Sequence, residues 1–244
     1  MIILDMEIRN QDSPQDQQSS RTESPERIYF PYYEKAVLLY EQKKFEDAIQ
    51  LLKKELPCWG KADLLGSCYA ELMDFSQAEE SYLEAIKLDP DQTGTLYNIA
   101  MLYYDFFQPY EAKKYYELYI RKEPNDIVGL FNYAVVLLDL DLQDEAYEVL
   151  KKAHAIDPRD VYVIINLAFV ILHKKIRPRV ALRLLKKAAE INPVDPNVLF
   201  SLAKVAWDVG EELTCFTTRE MLQLIDPELC AELDERTGRQ SWQG

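Results

Sequence analysis

Histidine is nearly missing from this 244-residue chain, and cysteine is held to four residues. The two histidines, His154 and His173, stand far apart, and Cys58, Cys68, Cys215 and Cys230 show neither a CxxC pair nor other ligand spacing. That pattern argues against a Cys/His zinc site and reads as reduced, mostly buried thiols. Glycine is also scarce, at seven residues, and no Gly-rich phosphate loop, GxSxG or HExxH occurs. The carboxylates fall mostly at helix-surface spacing, as on a solvated face. No catalytic residue, metal ligand or cofactor site is expected.

Positive charge is in deficit. Lys and Arg total 28 against 42 Asp and Glu, a net charge of −14. A general nucleic-acid binder needs a basic face for phosphate contacts, so nucleic acid is not an expected partner. Long apolar runs are absent as well. The longest, VYVIINLAFVIL from Val161 to Leu172, falls short of a membrane span and ends in charge. The opening MIILDMEIRNQDSP has no basic region and no long apolar core, unlike a secretory signal. These absences make cytoplasmic the expected location, with no membrane span. Strand signals are missing too, with no NG or DG turn and no sustained alternation.

What the chain does contain is a period. Pro57, Pro90, Pro124, Pro158, Pro193 and Pro227 stand at intervals of 33, 34, 34, 35 and 34 residues. Asn98 answers to Asn132, Ala100 to Ala134 and Ala112 to Ala146, each pair 34 apart. A fixed period of this size means a stack of like supersecondary units. Between prolines lie two amphipathic helical patterns, in the second unit about Lys61–Leu72 and Phe75–Leu88, with Asp74 and Gln77 reading as a capping pair. Pro109, Pro178 and Pro196 sit where helices should begin, while the periodic prolines follow the second helix and stop it. Small residues recur at fixed offsets: Gly66, Ala100, Ala134, Ala168 and Ala203 in first helices, then Ala78, Ala112, Ala146, Ala181 and Cys215 in second ones. Such residues let helix axes approach closely.

The 34-residue helix–turn–helix period, the Gly or Ala of the first helix, the Ala of the second and the closing Asp-Pro resemble the tetratricopeptide repeat. The resemblance implies an all-α solenoid of about six repeats in a right-handed superhelix, ending in a short capping helix. The expected division is a disordered polar tail over 1–28, an array over 29–227 and a cap and tail over 228–244. Repeat boundaries are expected at about 29–58, 59–92, 93–126, 127–160, 161–195 and 196–227. Pro57 should cut the second helix of the first repeat short.

By the same resemblance, first helices line a concave groove. Its expected peptide-binding residues are Tyr97, Asn98, Met101 and Tyr104, then Phe131, Asn132, Val135 and Leu138. Tyr162, Ile165, Asn166 and Phe169 follow, with Phe200, Lys204 and Trp207 in the last repeat. Asn98, Asn132 and Asn166 form a ladder whose amides suit a guest backbone, though they also suit neighbouring backbone of the chain itself. Members of the family that grip a C-terminal carboxylate use Lys or Arg where this chain has Tyr97, Phe131 and Ile165, which disfavours that mode. The stretch His173–Lys187 holds seven Lys or Arg and no carboxylate. Its Lys174, Lys175, Arg177, Arg179 and Arg183 are a candidate basic docking edge, for an acidic surface or another copy. The function expected is a non-catalytic adaptor binding an apolar peptide segment of a client protein. A self-assembling homo-oligomeric scaffold and a secretion-type chaperone are the alternatives.

Overall fold

A computed structural model describes residues 31–173 and 177–238 of the chain. The expected tail over 1–28, Lys174 and Lys175 lie outside those residues. Among the described residues the elements are thirteen α-helices. They run α1 (Pro31–Glu41), α2 (Phe45–Leu52), α3 (Trp59–Glu71), α4 (Phe75–Leu88), α5 (Thr93–Asp105), α6 (Pro109–Lys122) and α7 (Ile127–Asp139). Then follow α8 (Gln143–Ile156), α9 (Val161–His173), α10 (Pro178–Ile191), α11 (Pro196–Asp208), α12 (Glu212–Ile225) and α13 (Pro227–Thr237). Consecutive helices pair as hairpins, making an all-α solenoid of helix-pair repeats. The described residues fall into two compact bodies, the first through Gly129 and the second from Leu130.

Local chemistry repeats with the fold. The first helices α7, α9 and α11 are each preceded by an aspartate two residues after a periodic proline. Asp126 accepts the Gly129 N–H at 2.8 Å, Asp160 those of Tyr162 and Val163 at 3.0 Å, and Asp195 that of Asn197 at 2.9 Å. Each cap satisfies N–H groups that a helix start leaves without intrahelical partners. At α4, Asp74 accepts the Gln77 N–H at 3.2 Å, but Gln77 turns its amide to Glu80 at 3.4 Å, so only half of the capping box forms. At α1 the cap comes from farther along the chain: the buried Glu55 carboxylate accepts the Tyr32 and Tyr33 N–H groups at 2.9 and 3.1 Å.

The turns inside the five hairpins whose turn residues are all described are equally regular. Lys43, Met73, Phe107, Asp141 and Gly210 all adopt positive φ, between 58° and 78°. The next N–H in each case bonds back across the turn, as in Gln108 to the Tyr103 carbonyl at 2.8 Å and Glu211 to Ala206 at 2.8 Å. This left-handed closure satisfies the last carbonyls of the first helix. Glycine adopts it freely. The other four residues adopt it against a steric cost of about 1–2 kcal/mol each.

Packing follows the small residues. Ala100, Ala112, Ala134, Ala146, Ala168, Ala181 and Ala203 are wholly buried. Gly66 leaves room for the Tyr82 ring, which a Cβ there would meet at 2.5 Å. Pro109, Pro178 and Pro196 each occupy the first position of a helix, where a missing N–H costs nothing. Pro227 follows the end of α12 by two residues, as expected of a periodic proline, and in addition opens α13. The helix α2 spans 8 residues where the other second helices span 14, and it ends ahead of Pro57.

Candidate functional site

The first helices carry almost all of the side chains singled out in the sequence, and burial sorts them into two groups. Tyr97, Asn98, Met101, Tyr104, Tyr162, Asn166, Phe169, Lys204 and Trp207 are half-buried, with surface open to solvent. Phe131, Asn132, Val135, Leu138, Ile165 and Phe200 are buried. Six of the fifteen expected contact residues therefore present little or no surface for a guest.

The clearest correction is Phe200. It is 1% exposed and belongs to a core cluster with Leu199, Ala203, Leu222, Cys230 and Leu233. The helix α13 supplies Cys230 and Leu233, and its Arg236 guanidinium lies 5.7 Å from the Phe200 ring centre. Packing of α13 on α11 covers the apolar face that a following repeat would otherwise cover. Arg219 of α12 fastens it by pairing with Asp234 through Nε at 2.6 Å and through a second, closer contact from Nη2. Phe131 is likewise closed, at 1% exposure, with its ring edge-on to Tyr162 of α9 at 6.5 Å. The helix α7 is apolar nearly all round, and such a helix is buried all round.

In the first body the stripe is polar and aromatic. Asn98 of α5 donates from Nδ2 to both Asp63 oxygens, at 3.3 and 3.4 Å. Burial pushes the Asp63 carboxyl above its usual range, and hydrogen bonding from neighbours, Asn98 among them, offsets this in part. Asp105, at the end of α5, is also pushed up, first by burial and then by the charge of Glu71. Tyr97 packs against Tyr119 and Tyr116 at ring separations of 5.4 and 6.0 Å. The Tyr119 hydroxyl donates to Asp126 at 2.8 Å, so one carboxylate caps α7 and anchors that aromatic group.

In the second body the stripe is apolar with few polar points. Phe169 of α9 packs beside His173 at 6.2 Å, and Lys204 of α11 pairs with Asp208 one turn on, at 3.1 Å. Asn166 donates from Nδ2 to the Tyr162 carbonyl of its own helix at 3.0 Å. The three ladder asparagines thus have three environments: a carboxylate for Asn98, helix backbone for Asn166, and complete burial for Asn132. Of the basic edge, Arg177, Arg179 and Arg183 are exposed around the start of α10. Positive charge there opposes the helix dipole, so these residues add nothing to helix stability.

The sequence reading missed the proline-plus-two aspartates as caps, although their spacing was visible in it. It also missed Glu55, whose partners lie 22 and 23 residues away and leave no local signal. All four cysteines are free, and burial pushes the Cys68 thiol up to about 12. Among the described residues no helix is long and apolar enough to cross a membrane, and no group of His, Cys, Asp or Glu is placed to hold a metal ion.

Repeated helix hairpins with capped first helices and a terminal covering helix define a helical-repeat array, a class whose work is binding. The chain contains tetratricopeptide repeats: family models of that repeat match residues 63–92 and 95–126. The solved structure of PilW, described as a widely conserved type IV pilus biogenesis factor, is similar with a TM-score of 0.69. It is 18% identical, over 83% of this chain and 96% of that one. PilF of Pseudomonas aeruginosa is similar with a TM-score of 0.61 at 20% identity, over 74% and 84% of the two chains. YrrB, described as a repeat protein of this family with an unusual peptide-binding site, gives 0.62 at 16% identity, over 78% and 97%. Likeness at these identities is a likeness of fold. None of the curated proteins matches the chain.

Proposed function

We propose that this protein is a non-catalytic adaptor that holds an apolar peptide segment of a client protein along the stripe of its first helices. The observation that carries this reading is the set of half-buried aromatic side chains that first helices of each body keep partly open to solvent. Tyr97 and Tyr104 stand on α5, Tyr162 and Phe169 on α9, and Trp207 on α11. Rings of this kind offer large apolar area at small cost in side-chain entropy. Covering roughly 500 Å² of apolar surface is worth about 12 kcal/mol gross at about 25 cal/mol per Å². Association costs of about 4–15 kcal/mol leave a bare peptide near micromolar strength. The excess of carboxylates keeps such a surface dispersed in a cytoplasmic setting, with protein rather than nucleic acid as the partner.

Selection from a displayed library of apolar 12-residue peptides tests this. The expected result is enrichment on the wild-type protein of sequences that bind a Phe169→Glu, Trp207→Glu variant at least tenfold more weakly, with its circular dichroism unchanged. Equal binding to both proteins removes the reading.

The scaffold reading keeps one observation in its favour, the exposed guanidinium groups of Arg177, Arg179 and Arg183 on a strongly acidic chain. If copies assemble through them, an Arg177→Glu, Arg179→Glu, Arg183→Glu variant sediments as a smaller species than the wild type at low salt. Identical sedimentation eliminates assembly through this edge.

A further inference from the structure

The five described hairpin turns each close through a residue of positive φ, and two of those residues are large and apolar. Where the others have Lys43, Asp141 and Gly210, the first body has Met73 at φ of 59° and Phe107 at φ of 58°. Glycine, asparagine or aspartate holds the left-handed region most easily, and a large apolar side chain holds it against a steric cost. Solvent adds a second cost, because Met73 is 68% and Phe107 93% exposed. Contacts within the body offset little of either. Backbone strain that internal packing does not explain is characteristic of places that act on something else.

The two positions are neighbours. Phe75, two residues after Met73, packs on Phe106, the residue before Phe107, with ring centres 5.1 Å apart. Met73 and Phe107 thus hold equivalent places in adjoining repeats, separated by roughly 10 Å, the spacing of packed helices. Tyr110, 72% exposed, and Leu72 widen the row. Large side chains of this kind carry about 150–250 Å² each. The exposed area is therefore on the order of 500 Å², the size of patches with which monomeric proteins bind partners.

Carboxylates border the row. Glu71 and Asp74 flank Leu72 and Met73, Asp105 lies two residues before Phe107, and all three are exposed. The Asp105 carboxyl is raised, first by the desolvation of its surroundings and next by the charge of Glu71, so like charges meet at this edge. Glu111 nearby is different, because Lys114 answers it at 2.6 Å.

We propose that this turn edge of the first body is a second docking surface, outside the stripe, and that it takes an amphipathic helix of a partner protein whose apolar side chains are flanked by Lys or Arg. The exposed apolar row selects one half of that chemistry and the acidic border selects the other. Residues i and i+7 of an α-helix lie about 10.5 Å apart on one face, which matches anchors set roughly 10 Å apart at Met73 and Phe107. Cationic side chains beside that face meet Glu71 and Asp105 and relieve their repulsion. The surface shares no residue with the stripe, so neither reading depends on the other.

The test is selection on the full chain from a displayed library of helical peptides with apolar residues at i, i+3 and i+7 and flanks randomised among Lys, Gln and Glu. The expected result is enrichment of Lys-flanked members. Selected peptides should bind at least tenfold more weakly to a Phe107→Gly variant, whose denaturation midpoint stays at or above that of the wild type because glycine removes the strain. A Glu71→Gln, Asp105→Asn variant should weaken them at least threefold and flatten the salt dependence of binding. The Phe169→Glu, Trp207→Glu variant should bind them as the wild type does. No enrichment of Lys-flanked members, or equal binding to the Phe107→Gly variant, overturns the proposal. Peptides lost only with Phe169→Glu, Trp207→Glu belong to the first-helix stripe, which supports the adaptor reading and removes this one. If the wild type instead sediments as a species larger than a monomer that Phe107→Gly reduces, a second copy covers the edge, which overturns a partner helix as its occupant.

Discussion

The two bodies share one repeat, yet they use the open side of their first helices differently. In the first, that side carries Tyr97, Asn98, Met101 and Tyr104, and polar groups are tied to each other, as Asn98 is to Asp63 at 3.3 Å. In the second, the same places hold Val135, Leu138, Phe169 and Trp207, and part of that surface is closed by burial. The difference teaches that the period of a repeat fixes which side chains face one another between helices but leaves the remaining face free to vary. Small residues recurring from repeat to repeat decide the packing. The composition of the free stripe decides what it can hold.

The comparison breaks most sharply at Phe200 and Tyr97, which occupy related places in the two bodies. Phe200→Ala should cost about 3–5 kcal/mol because it empties a cluster sealed by α13, whereas half-buried Tyr97 cut to Ala should cost only about 1–2 kcal/mol. Urea denaturation followed by tryptophan fluorescence measures both, with Trp59 reporting on the first body and Trp207 on the second. Equal losses would show that Tyr97 is as much core as Phe200.

Overpacking comes next. Ala134→Leu in the second body and Gly66→Ala in the first should each cost about 1–3 kcal/mol, since Ala134 is wholly buried and a Cβ on Gly66 meets the Tyr82 ring. Thermal melts that leave either variant unchanged would deny that both bodies close at this place.

The hairpin turns sharpen the contrast further. Phe107 is 93% exposed with φ of 58°, while Gly210 holds the corresponding turn of the last repeat at φ of 78°. Phe107→Gly should therefore stabilise by about 0.5–1 kcal/mol, and Gly210→Ala should destabilise by a similar amount. Denaturant midpoints moving in the same direction for both would contradict the left-handed closure.

The smallest effect is one of pH. Burial raises the Asp63 carboxyl above its usual 3.8, so the folded first body holds that proton more tightly than the unfolded chain. Its contribution to stability is full below 3.8 and is lost as pH rises through the higher folded value. A carboxyl-detected NMR titration should place the Asp63 midpoint above 3.8, and a midpoint at or below it would remove the effect.

Much of the architecture was legible before any coordinates. Prolines at a 34-residue interval and alanines at fixed offsets report interactions made within one hairpin or with the next, so the pattern is written locally. Helix starts at Pro109, Pro178 and Pro196 follow from the same local chemistry. The site was harder. The resemblance to the repeat family implied a groove-lining row of Tyr97, Asn98, Tyr162, Asn166 and Phe169 on first helices, but it placed Phe200 in the same row. Only packing of α13 on α11 shows that Phe200 is core.

What the sequence alone determined is therefore the repeat, its helix pairs and the kind of residue on each first helix, because these depend on neighbours a few positions or one period away. Tertiary structure decided which of those residues stay open: Phe131 is closed against Tyr162 and Phe200 beneath Leu233 and Arg236, whereas Phe169 and Trp207 keep surface. The physical reason is that accessibility depends on every atom around a side chain, including those supplied by elements remote in the sequence, and a local pattern carries no record of them.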